Sequence, residues 1–260
     1  MNKSIVCPVG CKKGRESQTQ EYLKALLDSI VNGGYLDHFQ VILCYDQVGE
    51  DFYEYFEEKY PFTIGLVWLG NKQGFAANSN LGIRHAKGTD ILLVNQDCVL
   101  PDYKYMEPMF SVQGIATPYT CGIQRQDLLN KINDKNTLQG EEISRNFAFC
   151  CPYISKEVIE EVGLLEPAYI SSWEDDDFIT RALLAGFKCF QYNVAIYHKG
   201  SHSNNPGGES PSGAYNAEML GLNMQKYMYK YGISPEVTHA EFIPWVLANR
   251  TWNKEKMYIG

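Results

Sequence analysis

The sequence predicts an α/β fold, a mostly parallel central sheet flanked by helices. Three observations predict it. Short apolar runs alternate with segments of helical period through roughly the first hundred residues. The inner runs, Val41–Tyr45 and Ile91–Val94, are continuously apolar, as strands buried on both faces are. Glycine, asparagine or proline closes the helical segments between them.

Lys3–Val9 is a short β-rich run. Ser17–Val31 carries Tyr22, Leu23, Leu26, Leu27 and Ile30 at helical spacing, and Asn32-Gly33-Gly34 stops it. Asp51–Tyr60 reads as a helix ended by Pro61, Phe62–Leu69 as a strand, and Phe75–Ala86 as a helix closed by Lys87-Gly88. This β-α-β-α-β-α-β rhythm implies parallel pairing with helical crossovers. The second half is less regular. Gln113–Tyr119, Asn146–Ile154 and Phe187–Tyr197 read as strands, and Ser155–Val162 and Asp176–Ala185 as helices, each followed by a glycine. Residues 121–145 are polar and read as a mobile insertion. His198–Ser212 is rich in Gly, Ser, Asn and Pro and reads as a long loop. Tyr215–Tyr231 reads as a helix, and Ile233–Gly260 shows no clear period.

At 260 residues the chain is long enough to bury a sizeable core without disulfides. A net charge of −8 disfavours non-specific binding along a nucleic-acid backbone, without excluding a local basic groove. Lys12, Lys13 and Arg15 form the densest basic cluster and read as a solvated loop. The sequence holds no apolar run of the roughly 18 residues a membrane span needs, and the amino terminus reads as a strand, not a signal peptide. A cytoplasmic protein with reduced thiols is the expectation, with peripheral membrane association left open. Cys7 and Cys11, with His198 and His202, have spacing that can build a zinc site. Their separation and the place of Cys7 inside a strand argue against one.

In open parallel sheets ligands bind at the carboxyl ends of the strands. Three strand ends carry chemistry here: Tyr45-Asp46, Asn95-Gln96-Asp97, and Tyr197 running into His198-Lys199-Gly200-Ser201-His202. Carboxylates plus an imidazole can hold Mg2+ or Mn2+, with substrate phosphates completing the shell. The sharpest local feature is Ser171-Ser172-Trp173-Glu174-Asp175-Asp176-Asp177-Phe178. Ser171 and Glu174, or Ser172 and Asp175, have capping-box spacing. Acids also suit a helix N-terminus, and Asp177 with Arg181 forms an i,i+4 pair. Capping explains one or two acids but not four consecutive ones.

Asn71-Lys72-Gln73-Gly74-Phe75-Ala76-Ala77-Asn78-Ser79-Asn80-Leu81-Gly82-Ile83, followed by Asp90-Ile91-Leu92-Leu93-Val94-Asn95-Gln96-Asp97, resembles family 2 glycosyltransferases of the GT-A fold, particularly the rhamnosyltransferase-like branch. Glu174-Asp175-Asp176-Asp177-Phe178 with Arg181, Gly186 and Phe187 is similar to that family's acidic helix motif. Tyr197-His198 sits where the family has a late strand ending in histidine, and Asn223–Gly232 looks like its closing helix. The resemblance implies a Rossmann-like GT-A domain over residues 1–232. Its nucleotide-binding half is 1–100, its acceptor and catalytic half is 101–232, and a tail, 233–260, packs on the same domain.

By resemblance the chain is an inverting, metal-dependent hexosyl or pentosyl transferase. It would use a UDP-, GDP- or dTDP-linked sugar, a hydroxyl acceptor, and Mn2+ or Mg2+. Asp46 resembles the acid that reads the nucleotide base, and Asn71, Gly74 and Asn95 are further donor contacts. Asp97 and His198 resemble the metal ligands. Asp175 resembles the catalytic base, with Glu174 beside it orienting the acceptor. His202, Lys199 and Trp173 are candidate phosphate or acceptor contacts. One departure stands out: Asn95 occupies the position of the first acid in the family's Asp-x-Asp motif and brings no charge. A nucleotide-sugar-binding protein of the same fold without turnover is therefore the alternative. A dinucleotide oxidoreductase is disfavoured, because Pro8-Val9-Gly10-Cys11-Lys12-Lys13-Gly14 lacks the glycine spacing of that fold's phosphate turn.

Overall fold

The aliphatic runs of the first half stack side by side. In the computed structural model, which describes residues 2–11, 14–68, 73–86, 88–169, 172–199 and 217–255, they form β1 (Lys3–Gly10), β2 (Gln40–Asp46), β3 (Thr63–Val67) and β4 (Asp90–Leu93). β1 pairs in parallel with β2 and β4, and β2 with β3. The crossovers are α1 (Glu16–Asn32), α2 (Glu50–Lys59) and α3 (Gly74–His85). Side chains alternate across this sheet. Ile5, Cys7, Val9, Leu43 and Tyr45 face one way and pack with Leu23, Leu27 and Ile30 of α1 and Phe56 of α2. Val6, Ile42, Cys44, Ile91 and Leu93 face the other way, toward Ala76 and Ile83 of α3. The sheet is thus buried on both faces, as unbroken apolar strands require.

Gly82 lets α3 lie close to the sheet. A Cβ there would stand 2.5 Å from a Val6 methyl and 2.7 Å from the Cys44 sulfur. Asn78 donates its side-chain amide to the Cys44 carbonyl at 2.6 Å. Asn80 both donates to Leu165 O, at 2.7 Å, and accepts from Leu165 N, at 3.0 Å. The polar residues of the Asn71–Ile83 stretch therefore include two that fasten α3 to its neighbours.

Beyond β4 the sheet becomes mixed. β5 (Cys98–Val99) follows almost at once, and α4 (Tyr103–Met106) and a 3-10 turn lead to β6 (Gly114–Cys121). α5 (Gln126–Ile132), β7 (Gly140–Ile143), β8 (Tyr153–Ile154), α6 (Lys156–Val162), α7 (Glu174–Leu184) and β9 (Lys188–His198) complete the order β3-β2-β1-β4-β8-β6-β9-β5, with β7 on β9. β8 runs antiparallel to β4 and β6, and β5 and β7 antiparallel to β9.

Three expectations are corrected here. The strand expected over Asn146–Ile154 is only Tyr153–Ile154. Upstream of it the chain turns tightly, Cys150 N donating to Ala148 O at 2.9 Å, and Pro152 supplies no donor to a ladder. The polar stretch 121–145 is built into the fold as α5 and β7. Asn133 pins it, pairing both side-chain atoms with the Ala195 backbone at 2.7 and 3.0 Å. The tail contains α9 (Phe242–Asn249), which packs with α8 (Ala217–Tyr231) against α7 through Tyr227, Tyr231, Phe242 and Val246. Its eight residues are nearly all apolar, so no polar face marked a period. Trp252 ties the tail to α6 through Glu161, at 2.6 Å. No helix of the described residues is long and apolar enough to cross a membrane, and all eight cysteines are free thiols.

Candidate active site

The carboxyl ends of β1, β2 and β4 open on one edge of the sheet, and β9 ends beside them. Gln96 locks the first of these ends. Its side-chain amide exchanges two hydrogen bonds of 2.9 Å with the Gly10 backbone. The next residue, Asp97, faces the end of β9. The antiparallel pairing of β5 with β9 sets Cys98 opposite His198, and Lys199 N donates to Asp97 O at 3.2 Å. His198 Nε2 consequently lies 3.3 Å from Asp97 Oδ1 and 3.3 Å from Asn95 Nδ2. The His198 and Asp97 side chains are 15% and 22% exposed, enough for a ligand to reach both.

Asp46, at the end of β2, is 5% exposed. Its carboxylate accepts from Gln73 N and Gly74 N, each at 3.0 Å to Oδ2, and so caps the start of α3. Gly74 has φ +82°, a left-handed conformation that strains any residue with a Cβ. Lys199 spreads its ammonium over the Tyr22 ring, 3.9 Å from the centroid, a cation–π contact. Asn71 and His202 lie outside the described residues, as do Lys12, Lys13, Ser171 and the loop beyond Lys199.

The acidic run enters α7 through Trp173, which has φ 74°, unusual for a residue with a side chain. The indole is buried and packs on Tyr227, His239 and Phe242, with centroids 5.2, 4.8 and 5.9 Å away. It forms a wall beneath the first turn. The four acids then divide by environment. Asp177 is fully buried and pairs with Arg181, as the i,i+4 spacing predicts, at 2.8 Å. Lys230 and Tyr231 from α8 also donate to it. Asp176 accepts from Asn146 at 2.8 Å and lies 3.9 Å from His239 Nε2. The facing Asp176 carboxylate raises the His239 pKa above its ordinary value.

Among the described residues no cation pairs with Glu174 or Asp175. Glu174 is 7% exposed, and its Oε2 has no hydrogen-bond partner among the described residues. Burial first, then the neighbouring Asp175 charge, push its carboxyl well above the usual range. Burial and then Asp176 push Asp175 up to about 7, although Asp176 N donates to its Oδ1 at 2.9 Å. A carboxyl with its pKa near neutrality suits a proton acceptor.

The segment 149–151 connects the two halves of the site. The Phe149 backbone favours the ionised form of Asp175. Asn95 N and the Cys98 thiol both donate to Cys150 O, at 2.9 and 3.4 Å. Cys150 lies within the electrostatic reach of both Asp97 and Asp175. The Asp97–His198 pair and the raised Asp175 carboxyl thus both act on this segment.

The model of glycosyl transferase family 2 matches residues 15–158, more than half of the chain. The chain belongs to this family. No characterised protein in the curated collections matches the sequence. Among solved structures, this family 2 glycosyltransferase is similar to residues 1–349 of TarS from S. aureus in complex with UDP-GlcNAc. The TM-score is 0.56 and the identity 14%, over 95% of this chain and 71% of that one. It is also similar to GalNAc-T7 with UDP, GalNAc and Mn2+, with a TM-score of 0.62 and 12% identity, over 99% of this chain. It spans 56% of the GalNAc-T7 chain. At such identities the likeness is one of fold, and the GT-A architecture expected from the sequence is the one found.

The donor atoms of this glycosyltransferase fit a divalent cation. Ligand atoms of Asp97, Cys98 and His198 all lie within 4.8 Å of one another. Asn95 Oδ1 is buried beside them, without a hydrogen-bond partner among the described residues. Carboxylate oxygen and imidazole nitrogen suit Mn2+ and Mg2+. Sequence reasoning missed Cys98. It reads as one more buried thiol, and only the β5–β9 register reveals what it faces.

Proposed function

We propose that the chain is an inverting transferase that moves a sugar from a nucleoside-diphosphate donor to an acceptor hydroxyl, with Asp175 as general base. The observation that carries this reading is the raised Asp175 carboxyl, joined through segment 149–151 to the Asp97–His198 pair.

Asp97 and His198 would hold a divalent cation, which when bound neutralises charge on the leaving diphosphate. Asp175 takes the proton of the acceptor hydroxyl as its oxygen forms a bond to the anomeric carbon. The carbon–oxygen bond to the diphosphate breaks from the opposite face, and its electron pair leaves with the phosphate. One displacement inverts the anomeric carbon and needs no enzyme nucleophile. Glu174, whose Oε2 has no hydrogen-bond partner among the described residues, orients the acceptor. Among the described residues Asp46 Oδ1 makes only a 3.2 Å contact, with Gln73 N, which leaves acceptor capacity for a base N–H.

The test is a thermal-shift and transfer screen with Mn2+ over UDP-, GDP- and dTDP-linked sugars, rhamnose donors included. A donor that stabilises the fold and is consumed with acceptor supports the reading. Stabilisation without turnover of any acceptor or water would favour the binding protein that Asn95 suggests. Asp97→Ala is expected to weaken Mn2+-dependent donor binding by at least on the order of tenfold, the loss typical of merely disturbing a ligand's support. If Asp97→Ala and His198→Ala both bind donor as the unsubstituted chain does, the metal assignment fails. Asp46→Ala is expected to lower nucleotide affinity with or without metal, and to destabilise α3 by roughly 0.5–2 kcal/mol through the lost cap. Calorimetry showing an unchanged nucleotide Kd would remove Asp46 from the site.

A further inference from the structure

We propose that Cys98 is a third metal ligand, so that Asp97, Cys98 and His198 form a carboxylate–thiolate–imidazole site preferring thiophilic dications such as Zn2+ and Co2+ over Mg2+ and Mn2+. The inference rests on the reading of Asp97 and His198 as metal ligands, and extends it to the choice of ion.

The register puts the thiol there. Cys98 and His198 are direct partners in the antiparallel β5–β9 pair, and directly opposed side chains project to the same face. Asp97 precedes Cys98 and contacts the same imidazole at 3.3 Å. Three different donor atoms therefore lie within 4.8 Å of one another. Cys98 is fully buried at the edge-facing side of the larger apolar cluster, and its thiol donates to Cys150 O, the carbonyl that Asn95 N also bonds, while its neighbours Asp97 and His198 are part-exposed. A sulfur hydrogen bond of 3.4 Å is weak and easily exchanged for a metal bond.

The donor set decides the ion. Mg2+ and Mn2+ prefer oxygen, and Asn95 removes one of the two carboxylates that an Asp-x-Asp motif would present. One sulfur, one nitrogen and one oxygen are instead the ligand types of zinc, and three protein ligands leave a fourth position for a phosphate oxygen or water. On binding, the Cys98 thiol gives up its hydrogen bond to Cys150 O. The S–H proton passes to buffer, and the sulfur lone pair forms the bond to the cation. No electron is transferred.

Co2+ reports this directly in the metal-free 260-residue chain, without donor or turnover. The expected spectrum has visible bands of a four-coordinate ion together with an intense near-ultraviolet thiolate-to-cobalt band. Zn2+ is expected to displace Co2+ at a concentration at least about tenfold below that of Mn2+, following the affinity order for mixed N, O and S sites. Cys98→Ser is expected to abolish the near-ultraviolet band, keep visible absorption, and shrink the Zn2+ over Mn2+ preference. Visible bands without the thiolate band in the unsubstituted chain would overturn the role of Cys98 and leave Asp97 and His198 standing. A thiolate band that survives Cys98→Ser would assign it to another thiol and overturn the inference equally. No cobalt absorption at all would overturn both readings. The spectrum of the unsubstituted chain decides the matter even if the variant folds poorly.

Discussion

Asp175→Asn is expected to cut turnover by at least about a hundredfold while leaving donor affinity close to that of the unsubstituted chain. The amide keeps the shape and can still accept from Asp176 N, so the start of α7 is not disturbed. It cannot take a proton. The pH dependence gives a second signature. Asp175 must be ionised to act, and burial with the Asp176 charge holds it up to about 7. Turnover is therefore expected to fall about tenfold per pH unit below neutrality and to level off above it. Glu174 sits beside Asp175 and is raised by its charge, so the two carboxyls titrate together. Stability moves the opposite way. A carboxyl whose folded pKa exceeds its unfolded value binds more protons when folded, so stability is lost as pH rises from about 4 to about 7. Asp175→Asn removes that loss. The variant is expected to be at least as heat-stable as the unsubstituted chain at pH 8, although nearly inactive. If Asp175→Asn transfers sugar normally while Glu174→Gln abolishes transfer, the base is Glu174.

The parallel half of the fold was legible because its signal is redundant. Val41–Tyr45 and Ile91–Val94 are buried on both faces, so every residue of the run is apolar, and local pattern and tertiary burial agree. The second half is built from two-residue strands, β5 and β8, too short to show any period. Their pairing is decided by long-range register, which no window of sequence contains. The same holds for the site. Asp46, Asp97 and His198 could be placed because strand ends meet at one edge. Cys98 could not, because its meaning depends on standing opposite His198. The division of labour among four consecutive acids was only partly visible. The Asp177–Arg181 spacing is local. Lys230 over Asp177, and His239 near Asp176, come from elements far along the chain.

Asp177→Asn is expected to be the most destabilising substitution in the acidic run, by roughly 3–5 kcal/mol, the usual cost of stripping one partner from a buried ion pair. Asp177 is fully buried and Arg181 is 1% exposed. The carboxylate accepts from Arg181 Nε at 2.8 Å, Lys230 Nζ at 2.6 Å and Tyr231 OH at 3.0 Å. Arg181 extends the network to the carbonyls of Val162 and Leu164, which joins α7 to the end of α6. One anion thus compensates two buried cations that belong to different helices. An amide in its place removes the carboxylate charge that both cations bond. Lys230 can respond by losing its proton, since burial already holds its pKa below the ordinary value, but arginine cannot. A loss of that size lowers the melting temperature by on the order of 10 °C in a chain of this length. Because the pair is shielded from solvent, the loss is expected to be nearly the same in low and high salt. Lys230→Met, which leaves Arg181 paired, is expected to cost clearly less. Combining it with Asp177→Asn is expected to cost less than the two separate losses added together. Thermal unfolding of the four proteins measures this. A melting temperature for Asp177→Asn within about 2 °C of the unsubstituted chain, less than 1 kcal/mol at this size, would mean that the network does not hold α7 in place, and that the position of Asp175 depends on the packing of Trp173, Tyr227 and Phe242 instead.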